Sequence, residues 1–163
     1  MRSILRTPPD VDLRSHVQDW LWKHIFRINN GVPWPVHFTS RVVAWQKITC
    51  GRGSYPGDMP GCYVQGINGI VIGDGCQFGP GVGIISANHN PDNLAEHLPA
   101  PPIQIGSRSW IGMNAVILPG VVLGPETIVG AGSIVTHSFP EGRCVVAGNP
   151  AVVVRRALPA SVV

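Results

Sequence analysis

The sequence predicts an all-β fold, a parallel β-helix of hexapeptide repeats with an N-terminal helix and one inserted loop. Three observations predict it. Apolar residues recur every six positions at Ile72, Phe78 and Ile84, and again at Ile105, Ile111, Ile117, Leu123, Val129 and Val135. Glycine follows at Gly73, Gly79, Gly106, Gly112, Gly124 and Gly130. The residue two places before every later anchor but Ile105 is small or short-branched: Cys76, Val82, Ser109, Ala115, Val121, Thr127 and Ser133.

One geometry satisfies all three. Three short strands joined by turns close a triangular coil, so six residues make one face. The anchor fills the axis, and the residue two places earlier points inward near a corner, where space is short. Glycine after the anchor lets the chain turn without a Cβ clash. Coils stack about 4.8 Å apart, as paired strands do, and each buries the apolar face of the next. A helix needs a period of 3.6 rather than six, and antiparallel hairpins do not hold one register for so long.

The N-terminal helix is expected over residues 12–28, where Leu13, Val17, Trp20, Leu21, Ile25 and Ile28 follow helical spacing. Residues 1–11 read as a loose arm, Asp10 or Asp12 as a cap, and Asn29-Asn30-Gly31 as a stop. The helix is expected to pack on the main body. An alternative is peripheral membrane contact through residues 12–28, using Trp20, Trp22 and Lys23. Pro- and Gly-rich residues 31–60 lead into the repeat. Residues 90–102 break it, because the register set by Ile84 is lost before Ile105. Such an insert in a solenoid projects from one face and often carries function. The expected organisation is a lead-in over 1–59, a β-helix over 60–156 and a tail over 157–163.

Composition narrows the class. The 163 residues hold 20 Gly and 16 Pro with only 13% charged residues, which suits tight turns rather than helices. Net charge is +3 and uneven: residues 1–59 carry eight Lys/Arg against four Asp/Glu, and residues 60–142 carry one against five. No dense basic stripe or recognition motif marks a nucleic-acid binder. Cys50, Cys62, Cys76 and Cys144 form no CxxC pair, so no metal is expected. With no signal peptide or long apolar run, a soluble cytoplasmic protein with reduced thiols is expected.

Several segments resemble a known family. Ile70-Val71-Ile72-Gly73-Asp74-Gly75, Ser109-Trp110-Ile111-Gly112, Ile117-Leu118-Pro119-Gly120-Val121-Val122-Leu123-Gly124 and Gly130-Ala131-Gly132-Ser133-Ile134-Val135 look like the hexapeptide acyltransferases. That family includes galactoside, maltose, streptogramin and serine acetyltransferases, and O-acetyltransferases of polysaccharide synthesis. The resemblance covers roughly residues 60–156. It implies a left-handed coil, a homotrimer with sites between subunits, and acetyl-CoA as co-substrate. The acceptor implied is a small molecule or oligosaccharide, first of all a carbohydrate hydroxyl. A streptogramin-type antibiotic or an amino sugar is the alternative.

The resemblance also assigns roles. His89, just before the loop, matches the place of the family's catalytic His. A hydroxyl is a poor nucleophile at neutral pH, and a neutral imidazole can take its proton. Gln65, Asn68, Asn88 and His97 are candidates for the acceptor, because amides both donate and accept. Trp110 is expected near the thioester, with the Met113 backbone N–H at the oxyanion. Gly112, Gly130 and Ala131 are expected to let the pantetheine arm approach. His137 stands where relatives often carry Lys, so Arg143, Arg155 or Arg156 are candidates for phosphate. Pro150 lies in Gly148-Asn149-Pro150-Ala151, which matches the family's closing motif. Two other classes compete. A zinc enzyme on this fold needs three converging His, and a scaffold subunit needs no site at all.

Overall fold

A computed structural model describes residues 13–156; the expected arm, the caps at Asp10 and Asp12 and the tail lie outside them. Helix α1 spans Leu13–His24. The first coil has β1 (Arg41–Val43) and β2 (Ile48–Cys50), and the second β3 (Tyr63–Gln65), β4 (Ile70–Ile72) and β5 (Gln77–Phe78). The third opens with β6 (Gly83–Ile85), is interrupted by β7 (His89–Asn90) and β8 (Asn93–His97), and resumes with β9 (Ile103–Ile105) and β10 (Trp110–Ile111). The fourth has β11 (Val116–Ile117), β12 (Val122–Leu123) and β13 (Ile128–Val129). The fifth has β14 (Ile134–Val135) and β15 (Cys144–Gly148), and β16 (Ala151–Arg156) closes the chain.

These strands stack into three faces. The first runs β1-β3-β6-β11-β14, the second β2-β4-β9-β12 and the third β5-β10-β13-β15. Every pairing within them is parallel, and β16 folds back antiparallel on β15. Trp110 pairs with Ile128, a step of 18 residues, which is one hexad on each of three faces. Across the insert Ile84 pairs with Ile117, a step of 33, so the loop adds 15 residues without disturbing the stack.

Each anchor sits on the axis, and none is more than 6% exposed. The small residues two places earlier are buried too, and the hydroxyls among them have a task. Ser109 Oγ donates to Gly106 O at 2.7 Å, and Thr127 Oγ1 donates to Gly124 O at 2.7 Å. A short hydroxyl at a corner therefore bonds a turn carbonyl that no strand reaches.

The glycines after the anchors do not supply a left-handed turn. A Cβ on Gly73 would stand 2.6 Å from Ser107 N, on Gly79 2.6 Å from Met113 N, and on Gly112 2.7 Å from Ala131 N. The missing Cβ is demanded by the backbone of the next coil. The left-handed residue comes two positions further on, at Gly75, Gly81, Gly120 and Gly132 but also at Arg108, Asn114 and Glu126. Two of these non-glycine corners are linked by charge: Glu126 accepts from Arg108 and meets Arg143 at 3.5 Å.

Helix α1 packs on the body by the side opposite to the expected one. Lys23 is buried, and its Nζ donates to Val32 O at 3.0 Å and Trp34 O at 2.6 Å while pairing with Asp19 at 2.8 Å. Asp19 also accepts from Val36 N at 3.1 Å. Segment 32–36 covers the open first coil with Val32, Trp34 and Val36 and has no partner strand for its backbone. Its polar groups need partners, and α1 supplies them with its charged edge. Val17, Trp20, Leu21 and Ile25 are left exposed. Among the described residues no helix is long and apolar enough to cross a membrane.

Two glycine substitutions separate close approach from turn conformation. Gly73→Ala, which drives a Cβ into the Ser107 backbone, is expected to cost about 2–3 kcal/mol. Gly132→Ala, at φ 69° with nothing within 4 Å, is expected to cost about 1 kcal/mol. Urea denaturation of both variants checks the order.

Candidate active site

The insert leaves the coil at the corner between the first and second faces, and its root is tied down. Gln65 is buried, and its amide clamps the Ala87 backbone: Oε1 accepts from Ala87 N at 2.8 Å and Nε2 donates to Ala87 O at 3.3 Å. Asn68 Nδ2 donates to Ser86 O at 3.0 Å and to Leu98 O at 2.9 Å. Both amides were candidates for the acceptor. The structure gives them another use, holding the two ends of the loop. Asn88 is exposed, and its carbonyl accepts from Leu98 N at 2.8 Å.

His89 and His97 face each other across the β7–β8 hairpin. Their rings lie 4.5 Å apart at 33°, and both residues are exposed. His89 Nδ1 lies 2.7 Å from Leu94 O. A carbonyl only accepts, so Nδ1 carries the hydrogen, and in the neutral ring Nε2 keeps its lone pair. That is the arrangement a general base requires. The Leu94 carbonyl was missed in the sequence because a backbone acceptor leaves no mark on residue type.

The remaining expected site residues lie elsewhere on the chain. Trp110 points outward on the third face, 54% exposed, in one register column with Gln77, Ile128, Val145 and Arg155. Met113, exposed, follows at the corner between the third and first faces, with Gly130 and Ala131 on the same corner one coil later. The absent Cβ of Gly112 is required by the next coil, since it would stand 2.7 Å from Ala131 N. His137 is on the same corner as His89, two coils further, with Nδ1 at 2.7 Å from Thr136 Oγ1. Arg143 is occupied by Glu126. Pro150 forms the turn between β15 and β16, and Arg155 is exposed on β16. A single chain therefore puts His89 and Trp110 on different parts of the coil.

The cysteines offer no competing nucleophile. Burial pushes the Cys50 thiol up to about 12, and burial raises those of Cys62, Cys76 and Cys144 as well. A thiol so placed is not a thiolate at neutral pH. A hydrogen bond from Arg108 holds the Glu126 carboxyl below the usual range, aided by the charges of Arg108 and Arg143, so that corner is a fixed ion ladder. Among the described residues no group of three or more His, Cys, Asp or Glu could hold a metal.

Comparison with known proteins agrees with this architecture. The family described as bacterial transferase hexapeptide (six repeats) matches residues 102–137. A candidate acetyltransferase of Saccharomyces cerevisiae is 41% identical over 91 residues, 53% of this chain and 45% of the relative. One of Schizosaccharomyces pombe is 37% identical over 90 residues, 53% and 43% of the two chains. The chain spans less than half the length of these relatives. Among solved structures, a maltose O-acetyltransferase from Clostridium difficile 630 superposes with TM-score 0.63 at 29% identity, over 74% of this chain and 64% of that one. A hexapeptide-repeat-containing acetyltransferase from Vibrio cholerae O1 biovar eltor, complexed with acetyl coenzyme A, superposes with TM-score 0.57 at 27% identity, over 74% and 69%.

The chain carries hexapeptide repeats, and the proteins it resembles in sequence and fold are described as acetyltransferases. The parallel three-faced coil and these neighbours fit the all-β left-handed β-helix.

The hairpin geometry makes a direct prediction. Nitrogen NMR of the imidazoles at pH 8 is expected to show His89 as the Nδ1–H tautomer, with Nε2 unprotonated. Equal populations of both tautomers would contradict the bond to Leu94.

Proposed function

We propose that this chain is an acetyl-CoA-dependent O-acetyltransferase that acts on a carbohydrate hydroxyl, with His89 as general base. The observation that carries the proposal is the His89 ring, exposed on the insert and held through Nδ1 so that Nε2 is free. In the proposed step Nε2 takes the proton of the acceptor hydroxyl as its oxygen attacks the thioester carbonyl. A C–O bond forms, the C–S bond breaks, and the proton returns to the departing thiolate. The acetyl-CoA complex of the Vibrio relative supports acetyl-CoA as co-substrate. The maltose O-acetyltransferase neighbour supports a sugar hydroxyl as acceptor.

The position of Trp110 supports a homotrimer of left-handed coils. His89 and His137 share one corner, while Trp110 and Met113 belong to the third face and its next corner. A threefold assembly sets the first group of one subunit against the second group of its neighbour. The outward column of Trp110, Ile128 and Val145 offers an apolar track for the pantetheine arm, and Arg155 at its end suits a phosphate. The Met113 N–H is the proposed oxyanion donor.

Purified protein is incubated with acetyl-CoA and a panel of sugars and oligosaccharides while thiol release is followed. Acceptor-dependent release is expected to fall at least about 100-fold in His89→Ala. Equal rates in the two proteins would remove His89 from the mechanism.

A further inference from the structure

Helix α1 shows solvent the side that its sequence suits for burial. Val17, Leu21 and Ile25 share one helical face, and all three are exposed, with Trp20 beside them at 51%. The opposite edge carries Asp19 and Lys23, the groups bonded to the end cap. Next to the apolar face, Trp22 stacks on Phe38 at 4.5 Å and meets Phe26 at 4.6 Å. Phe26 and Phe38 stay about half exposed. Aliphatic and aromatic side chains thus form a patch where the helix covers the first coil, and an apolar patch of this kind marks an interaction surface.

Within residues 17–49 the charge outside the Asp19–Lys23 pair has one sign. Residues 17–49 contain Lys23, Arg27, Arg41 and Lys47 against the single acid Asp19. Lys23 and Asp19 neutralise one another. Arg27, Arg41 and Lys47 are exposed, and among the described residues none of them is in an ion pair. Asn29 bonds Ser40 O at 2.9 Å and Val42 N at 3.2 Å, which holds the Arg41 strand beside the turn that carries Arg27.

The geometry points to an anionic lipid bilayer as the occupant of this patch. The helix lies in the plane of the interface, with Val17, Leu21 and Ile25 in the acyl boundary and Trp20 at headgroup depth. Arg27 and Arg41 meet the lipid phosphates. At 12 residues the helix is about 18 Å long, short of the roughly 30 Å hydrocarbon core, so it rests on the bilayer and does not span it. A second copy of the chain fits less well. A twofold contact sets the patch against itself and brings Arg27 and Arg41 of both copies together, whereas lipid headgroups supply the opposite charge. The inference stands apart from the acetyl-transfer reading, because none of these residues belongs to that site.

The full chain is sedimented with vesicles of phosphatidylcholine alone and with vesicles containing about 30% phosphatidylserine. Wild type is expected to sediment with the anionic vesicles at low salt and to release as salt rises. Leu21→Glu with Ile25→Glu is expected to lower that binding at least about tenfold with an unchanged circular dichroism spectrum, because both side chains are exposed. Arg27→Gln with Arg41→Gln is expected to lower binding to the anionic vesicles only. Failure of wild type to bind anionic vesicles overturns the inference, as does equal binding by the Glu variant. A larger wild-type assembly that the Glu variant dissolves, with neither protein on vesicles, also overturns it and gives the patch to a second copy.

Discussion

At two of the three corners of the coil, between the second and third faces and between the third and first, one backbone approaches the next so closely that no Cβ fits between them, and the stacking of the coils is arranged around that approach. Gly73 against Ser107, Gly79 against Met113 and Gly112 against Ala131 are successive instances of it. The approach lets short strands of two or three residues pair in unbroken register over five coils. Short strands in turn bring an apolar anchor per face to the axis, and Ile, Val and Leu fill most of the core. A frame so regular tolerates a 15-residue departure at one corner, because the coil closes again on the same register at Ile103–Ile105.

The candidate chemistry sits on that departure. The frame lends the loop its rigidity through Gln65 and Asn68, side chains of the coil that bond the backbone where the loop leaves and returns. The loop then orients the candidate base, since the Leu94 carbonyl fixes His89 and the His97 ring lies against it. A site of this kind needs no strained backbone at the reacting residue. It needs a stiff imidazole and a short hairpin, and in the proposed trimer its remaining parts come from a neighbouring subunit.

The coil was legible in the sequence because its constraint acts on residue type at a fixed period. Apolar anchors, glycines and small corner residues all fell where the six-residue step places them, and the loop appeared as a loss of register between Ile84 and Ile105. His89 was legible only through its motif and its place before the loop. What escaped were partners made of backbone. Leu94 O leaves no trace in residue identity, and the use of Gln65 on Ala87 could not be told from an amide free for a sugar. The helix was legible as a helix but not in its orientation. Periodicity reports an apolar stripe without saying what faces it, and here the bare carbonyls of Val32 and Trp34 drew the Lys23 side inward. Likewise Arg143 read as a free cation until the corner ladder placed Glu126 beside it.

Calorimetric titration of the purified chain with acetyl-CoA decides whether the Trp110 column holds the proposed co-substrate. One molecule is expected to bind per chain with a Kd below about 1 mM, and a Trp110→Ala variant is expected to bind more weakly while keeping its fold. Absence of binding heat and of any competition with coenzyme A at that concentration would contradict the proposal and leave the coil a scaffold.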